Sequence, residues 1–208
     1  AQFEDFLFRD VPFRLLQVVF CYLIIISLVQ YYKFKSYKWL VAGLIGIICF
    51  QAQSFYPNYN NESESFIVFN KSRHTILGLR QNSNLLVHHN LDSIKYQADN
   101  VIRNYKVGEE IDHIVTGNLE SVYKIQKDKL LIIDSLGIYE NLSFRPNYVL
   151  LRNSPRINLN RLIDSLAPSK IIADASNYKS YAQRWKTTCS ERKIPFHYTN
   201  EKGAYIFK

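Results

Sequence analysis

Two apolar runs separated by a basic, aromatic turn constrain this chain more than any other feature. Residues 11–32, VPFRLLQVVFCYLIIISLVQYY, hold one charge, Arg14, near their start, and residues 39–55, WLVAGLIGIICFQAQSF, hold none. A bilayer core of roughly 30 Å asks for about 20 predominantly apolar helical residues, so the first run is long enough and the second is marginal. The alternative, a buried helical pair in a soluble core, fits less well because the charge-free length exceeds that of ordinary core helices. The expectation is a transmembrane hairpin within residues 1–61. Lys33, Lys35 and Lys38 lie between the runs beside Tyr31, Tyr32, Tyr37 and Trp39. Short Lys-rich loops stay cytoplasmic and Tyr and Trp favour the headgroup level, which puts the turn in the cytoplasm and the residues after the hairpin on the other side. Glu4, Asp5 and Asp10 ahead of the first run have the wrong sign for a secretory signal. The runs are therefore expected in the mature protein, and a chain that opens on Ala1 and has no Met reads as a piece of a longer polypeptide.

Beyond residue 60 the long apolar runs stop and alternating patterns begin. Residues 65–70, 74–80 and 84–90 read as short strands, the last two joined by a QNSN turn. Ile94, Ala98, Val101, Ile102 and Tyr105 recur at helical spacing over 92–106, with Asp92 or Ser93 as cap. Three strands follow, DHIVTG, SVYKIQ and KLLIID, the last two joined by Lys127 and Asp128. After Pro146 the rhythm becomes strand 148–153, helix 158–167, strand 170–174, helix 177–192, strand 195–199 and strand 204–207. That alternation is the mark of an α/β layered sheet, so residues 62–208 are expected as one soluble α/β domain.

Charge divides that domain. Residues 62–142 hold nine Lys and Arg against eleven Asp and Glu, and residues 143–208 hold twelve against four, hence −2 and +8. Such asymmetry points to a polyanion, either nucleic acid or anionic headgroups. The helix over 177–192 sharpens it, with Tyr178, Tyr181, Ala182, Trp185 and Cys189 on a core face and Lys179, Gln183, Lys186, Ser190 and Lys193 opposite. Lys179, Arg184, Lys186 and Lys193, with Arg152 and Arg156 (and Arg161 and Arg192 flanking), are the candidate phosphate-contacting residues. The competing reading is a solvated helix surface.

Chemistry-bearing motifs are otherwise scarce. His74, His88, His89, His113 and His197 show no ligand spacing, and the neighbours His88 and His89 point to opposite faces of a strand. Asp174, Ser176 and Asn177 stand between a strand and a helix, where α/β folds bind ligands, yet all three are also favoured helix caps. Glycine-rich phosphate loops and nucleophile signatures are missing. Cys21, Cys49 and Cys189 read as small buried hydrophobes.

The tail LIDSLAPSKIIADASNYKSYAQRWKTTCSERKIPFHYTNEKGAYIFK, residues 162–208, resembles the end of ComEC-family proteins, the inner-membrane channels that pass transforming DNA into bacteria. The matching order is Pro168, the strand 170–174, the helix 177–192, IPFHYT and EKGAYIF, with Gly203 in the turn. FIVFNKSRHTILGLRQNSNLLVHHN, residues 66–90, is similar to the opening strands of that family's metallo-β-lactamase-like domain. The resemblance implies that fold for 62–208 and makes the hairpin the last helices of a channel. It departs from the family where the metal motif belongs, and where many members carry His-His-Gly-Ser this chain has Arg152, Asn153, Ser154 and Pro155. No catalytic residue, metal ligand or cofactor is expected. The implied role is guidance of single-stranded DNA outside the cytoplasm, with membrane lipids, the rest of the channel polypeptide and further copies of the chain as partners. A bracing scaffold and a nuclease with an unrecognised site are the alternatives.

Overall fold

The computed structural model describes residues 15–55, 64–92, 99–140 and 142–207. It divides into two compact units, Ala1–Glu62 and Ser63–Lys208.

The first unit is a pair of helices, α1 (Leu15–Phe34) and α2 (Tyr37–Phe55). Lys35, in the left-handed conformation, reverses the chain between them. The pair packs through small side chains. A Cβ on Gly43 would sit 3.5 Å from Cβ of Ser27, and one on Gly46 would sit 3.0 Å from Cγ1 of Ile24. Close approach at small residues is how helices associate when burial in water gives no drive. Outside the seam, Leu16, Ile25, Leu44 and Ile48 are exposed. Among the described residues one helix, α1, is long and apolar enough to cross a membrane.

The second unit is a mixed α/β structure with two five-stranded sheets. The first sheet runs β10 (Tyr205–Phe207), β1 (Ser65–Val68), β2 (Ile76–Gln81), β3 (Asn84–His89), β4 (His113–Gly117). It is antiparallel except for the β3–β4 pair. The second runs β5 (Val122–Ile125), β6 (Asp128–Ile133), β7 (Tyr148–Leu151), β8 (Lys170–Ala173), β9 (Phe196–Tyr198). Here only β5–β6 is antiparallel, and β6 to β9 run parallel.

Side chains alternate across each strand, and the core divides accordingly. Phe66, Val68 and Leu77 of the first sheet meet Leu130, Ile132, Leu150 and Ile172 of the second. On the far face of the first sheet, Ile67, Ile76, Leu85 and Val87 pack with Ile102 of α3 (Asn100–Gly108). On the far face of the second, Leu131, Val149, Leu151, Ile171 and Ala173 pack under α4 (Leu159–Leu166) and α5 (Lys179–Glu191). The layers are thus helix, sheet, sheet, helices. Burial on both faces explains why β6 to β8 read as unbroken apolar runs (LLII, VLL, IIA) instead of alternating ones.

Several boundaries differ from the sequence reading. The helix expected over 92–106 has residues 93–98 outside the described set; the described part starts at Asn100. Its cap is Asp99, whose carboxylate accepts from the amides of Val101 (2.8 Å) and Ile102 (3.3 Å). The β5–β6 turn is Gln126–Lys127, with Gln126 left-handed, so Asp128 pairs with Ile125 as a strand residue. A four-residue helix, α6 (Thr199–Lys202), interrupts what reads as a plain turn before β10.

Candidate functional site

Parallel strands deliver their following loops to one edge, which is where open α/β sheets bind ligands. At that edge of the second sheet lie Arg152 after β7 and Asp174 after β8. The β1–β2 loop of the first sheet joins them, since the amide of Arg73 donates to the Ala175 carbonyl at 3.1 Å.

Asp174 is the hub. Thr75 Oγ1 donates to its Oδ2 at 2.5 Å, and its Oδ1 accepts from Ser176 Oγ (2.5 Å), the Ser176 amide (3.1 Å) and Asn177 Nδ2 (3.0 Å). The carboxyl is fully enclosed. Burial pushes its pKa up to about 6, against the pull of the Ser176 and Thr75 hydrogen bonds and the nearby positive charge of Arg152.

A second set of bonds ties the β8–α5 loop to the β7–α4 loop. The Asn153 amide donates to Ser176 Oγ (2.8 Å), the Ser154 amide to Asn177 Oδ1 (2.8 Å), and the Tyr178 amide to Ser154 Oγ (2.7 Å). Asn177 Nδ2 also donates to the Leu151 carbonyl at 2.6 Å. Asn153 and Ser154 are consecutive left-handed residues, each at φ 53°. Non-glycine residues hold that conformation only where the surroundings over-determine it, and these bonds supply the determination.

Asp174, Ser176 and Asn177 therefore do not cap α5. The N-cap position is Tyr178, with no side-chain capping bond. The Asp and Asn bind the loop to its neighbours instead, because the chain runs on for four residues before it turns helical.

The candidate cations separate into two groups. Arg152, half-buried, and Arg156, exposed, follow β7, and exposed Lys179 opens α5 beside them. Arg152 Nε is buried without a hydrogen-bond partner among the described residues. Arg184 lies over the Tyr181 ring, 5.1 Å from its centroid. Lys186 is paired with Glu201 at 2.8 Å. Lys193 lies beyond the end of α5 in a left-handed turn, about 20 Å along the axis from Lys179 at 1.5 Å per residue. The nearby Arg192 is paired with Asp164. Lys179, Lys186 and Lys193 are all exposed, as the sequence reading has them, with Lys186 engaged by Glu201, while Arg73, Arg152 and Arg156 lie on the loops of the strand edge.

The core face of α5 is borne out at Ala182, Trp185 and Cys189, all buried, but Tyr178 is 72% exposed. Burial also pushes the Cys189 thiol up to about 12, which makes it inert. His88 is buried at the seam between the sheets, its Nδ1 2.5 Å from the Asn118 carbonyl and 2.9 Å from the Tyr123 hydroxyl.

Where many members of the resembled family carry His-His-Gly-Ser, this edge has Arg152, Asn153, Ser154 and Pro155, and the residues present do not fit a metal. Asp174 has both oxygens committed to neutral donors, and a guanidinium, Arg152, stands at the neighbouring strand end. Among the described residues no group of three His, Cys, Asp or Glu is placed to hold an ion. Sequence reasoning missed Thr75 and Arg73, which lie in a loop with no motif of its own.

Neither the curated proteins nor the solved structures contain a match to this chain. The family model described as ComEC C-terminal domain matches residues 66–208, the whole of the two-sheet unit from its first strand onward. The chain therefore belongs to the ComEC family, membrane proteins of competence and DNA uptake.

Proposed function

We propose that this chain is the C-terminal part of a DNA-uptake channel in the bacterial inner membrane, and that its two-sheet domain contacts single-stranded DNA without cutting it. The observation that carries this reading is the strand edge itself. Exposed Arg73, Arg156 and Lys179 lie on or beside the loops that meet there, half-buried Arg152 follows β7, and the carboxylate that follows β8, Asp174, is sealed from solvent. Phosphates would meet that positive charge beside the partly exposed Asp134, which follows β6 at the same edge. The helix, sheet, sheet, helix order supports assignment of residues 62–208 to the metallo-β-lactamase-like architecture. Departure of the ligand set supports a role in guidance, since activation of a water molecule has no donors to work with.

Residues 1–61 are assigned to a transmembrane hairpin, supported by the apolar outer surfaces of α1 and α2 and by the Ser27–Gly43 seam. The Lys33, Lys35 and Lys38 turn supports a cytoplasmic bend and a domain on the opposite side. The lipids, the rest of the channel polypeptide and further copies of the chain are its proposed neighbours.

Binding of a fluorescent single-stranded oligonucleotide to the full chain in detergent micelles, titrated at several salt concentrations, tests the reading. Arg156→Glu with Lys179→Glu is expected to weaken binding at least tenfold and to reduce the salt slope by about 2, one per lost phosphate contact. Lys186→Glu with Lys193→Glu, away from the edge, is expected to do less. Unchanged affinity and slope in the first pair would remove the edge as a DNA surface. Competition by anionic vesicles in place of DNA would favour the scaffold role.

A further inference from the structure

Tyr178 is hard to account for as part of a fold. Among the described residues of the two-sheet unit it is the only large aromatic side chain left exposed, at 72%. Phe66, Tyr123, Tyr148 and Phe207 are all drawn into edge-to-face contacts inside the sandwich. An aromatic ring in water forfeits burial that its neighbours obtain.

Its backbone is nevertheless among the most firmly held at the edge. The Tyr178 amide donates to Ser154 Oγ at 2.7 Å, and its carbonyl accepts from Tyr181 (3.0 Å) and Ala182 (3.1 Å). The preceding residue, Asn177, is fixed by its bonds to Leu151 and Asp174. Behind it, Tyr178 and Tyr181 have centroids 6.4 Å apart, Tyr181 packs edge-on against Trp185 at 5.7 Å, and Arg184 covers Tyr181. The result is an exposed ring on a firmly held backbone, backed by half-buried Tyr181 and buried Trp185, next in sequence to Lys179 and tied through Ser154 to the loop that carries Arg152 and Arg156.

We infer that Tyr178 is a base-stacking platform, on which one unpaired base of a single-stranded polynucleotide rests while the surrounding cations hold its phosphates. This rests on the DNA-contacting reading above and adds to it the group that tells single strands from duplex. Positive charge alone attracts both forms. A flat ring accepts only a base whose face is free, and it does so without regard to sequence because every base has such a face.

The test uses the full chain in micelles and three ligands of equal length: a thymidine oligonucleotide, an abasic sugar-phosphate strand and a duplex. Tyr178→Ala is expected to weaken thymidine-strand binding by about 5- to 150-fold, the range for loss of one stacked base. Its affinity for the abasic strand and its salt slope should match the parent, and Tyr178→Phe should bind the thymidine strand within about twofold of the parent. Equal loss on the abasic strand, or no loss on the thymidine strand, overturns the inference while leaving phosphate contact in place. Absence of binding to all three ligands at low salt overturns the DNA-contacting reading, and the inference with it. Unchanged thermal midpoints in both variants separate lost stacking from lost folding.

Discussion

The two ends of the sandwich each bury a charged side chain and handle it in opposite ways. At one end, Arg80 of β2 is only 7% exposed, and it is met by the Glu109 carboxylate, the Glu109 carbonyl and the Asn82 carbonyl. At the other end, Asp174 is wholly enclosed and is met by a threonine, a serine and an asparagine, with only the more distant Arg152 opposing its charge. In an ion pair each buried charge is offset by its partner. A carboxyl held by neutral donors pays for burial whenever it ionises. The difference separates an end closed by an ion pair from one whose loops are bound together through a buried carboxyl.

The contrast breaks most directly at Asp174. Asp174→Ala leaves the Thr75 hydroxyl and the Ser176 amide and hydroxyl without their acceptor, and should lower stability by about 3–5 kcal/mol in chemical denaturation. A milder change sharpens it. Because the folded pKa of Asp174 is raised from 3.8 to about 6, the folded state binds the proton more tightly than the unfolded state. Its contribution is full below pH 3.8 and is lost as pH rises through about 6. Between pH 4 and pH 7 the parent should therefore lose about 2–3 kcal/mol relative to Asp174→Asn, which has no such proton. Parallel denaturation curves for the two proteins across that range would contradict the assignment. The smallest effect belongs to the other end. Glu109→Gln keeps an acceptor for Arg80 at a partly exposed position, so about 1–2 kcal/mol is expected, read as a shift in denaturation midpoint.

Much of the layered order was legible from pattern. Strands β6 to β8 and helices α4 and α5 follow from apolar runs and 3.6-residue spacing around Pro168 and Pro195, and the expected boundaries fall within about three residues of those found. Pairing was not legible. Nothing local in Tyr205–Phe207 says that β10 leaves the second sheet for the edge of the first, because that choice is made by contacts with Phe66 and Val68 far away in sequence.

The site was half legible for the same reason. Arg152, Arg156 and Lys179 lie in segments with visible signals, whereas Thr75 reaches Asp174 across 99 residues. Tyr178 was misassigned to the core because a helical wheel extended backward past Lys179 assumes helical dihedrals. Its own are φ −63° and ψ 138°, which swing the ring off the buried face.

The pairing of β1 with β10 also bears on the order of events in folding. Phe66 and Phe207 are partners about 140 residues apart, so β1 waits for a segment that leaves the ribosome after the other described strands of this unit. Until then β1 presents an open edge of unpaired amides and carbonyls. Closure of so long a loop belongs to the slow, topology-limited class of events. Completion of the first sheet is thus coupled to synthesis of β10, and the second sheet, whose strands all lie between those partners, can assemble ahead of it.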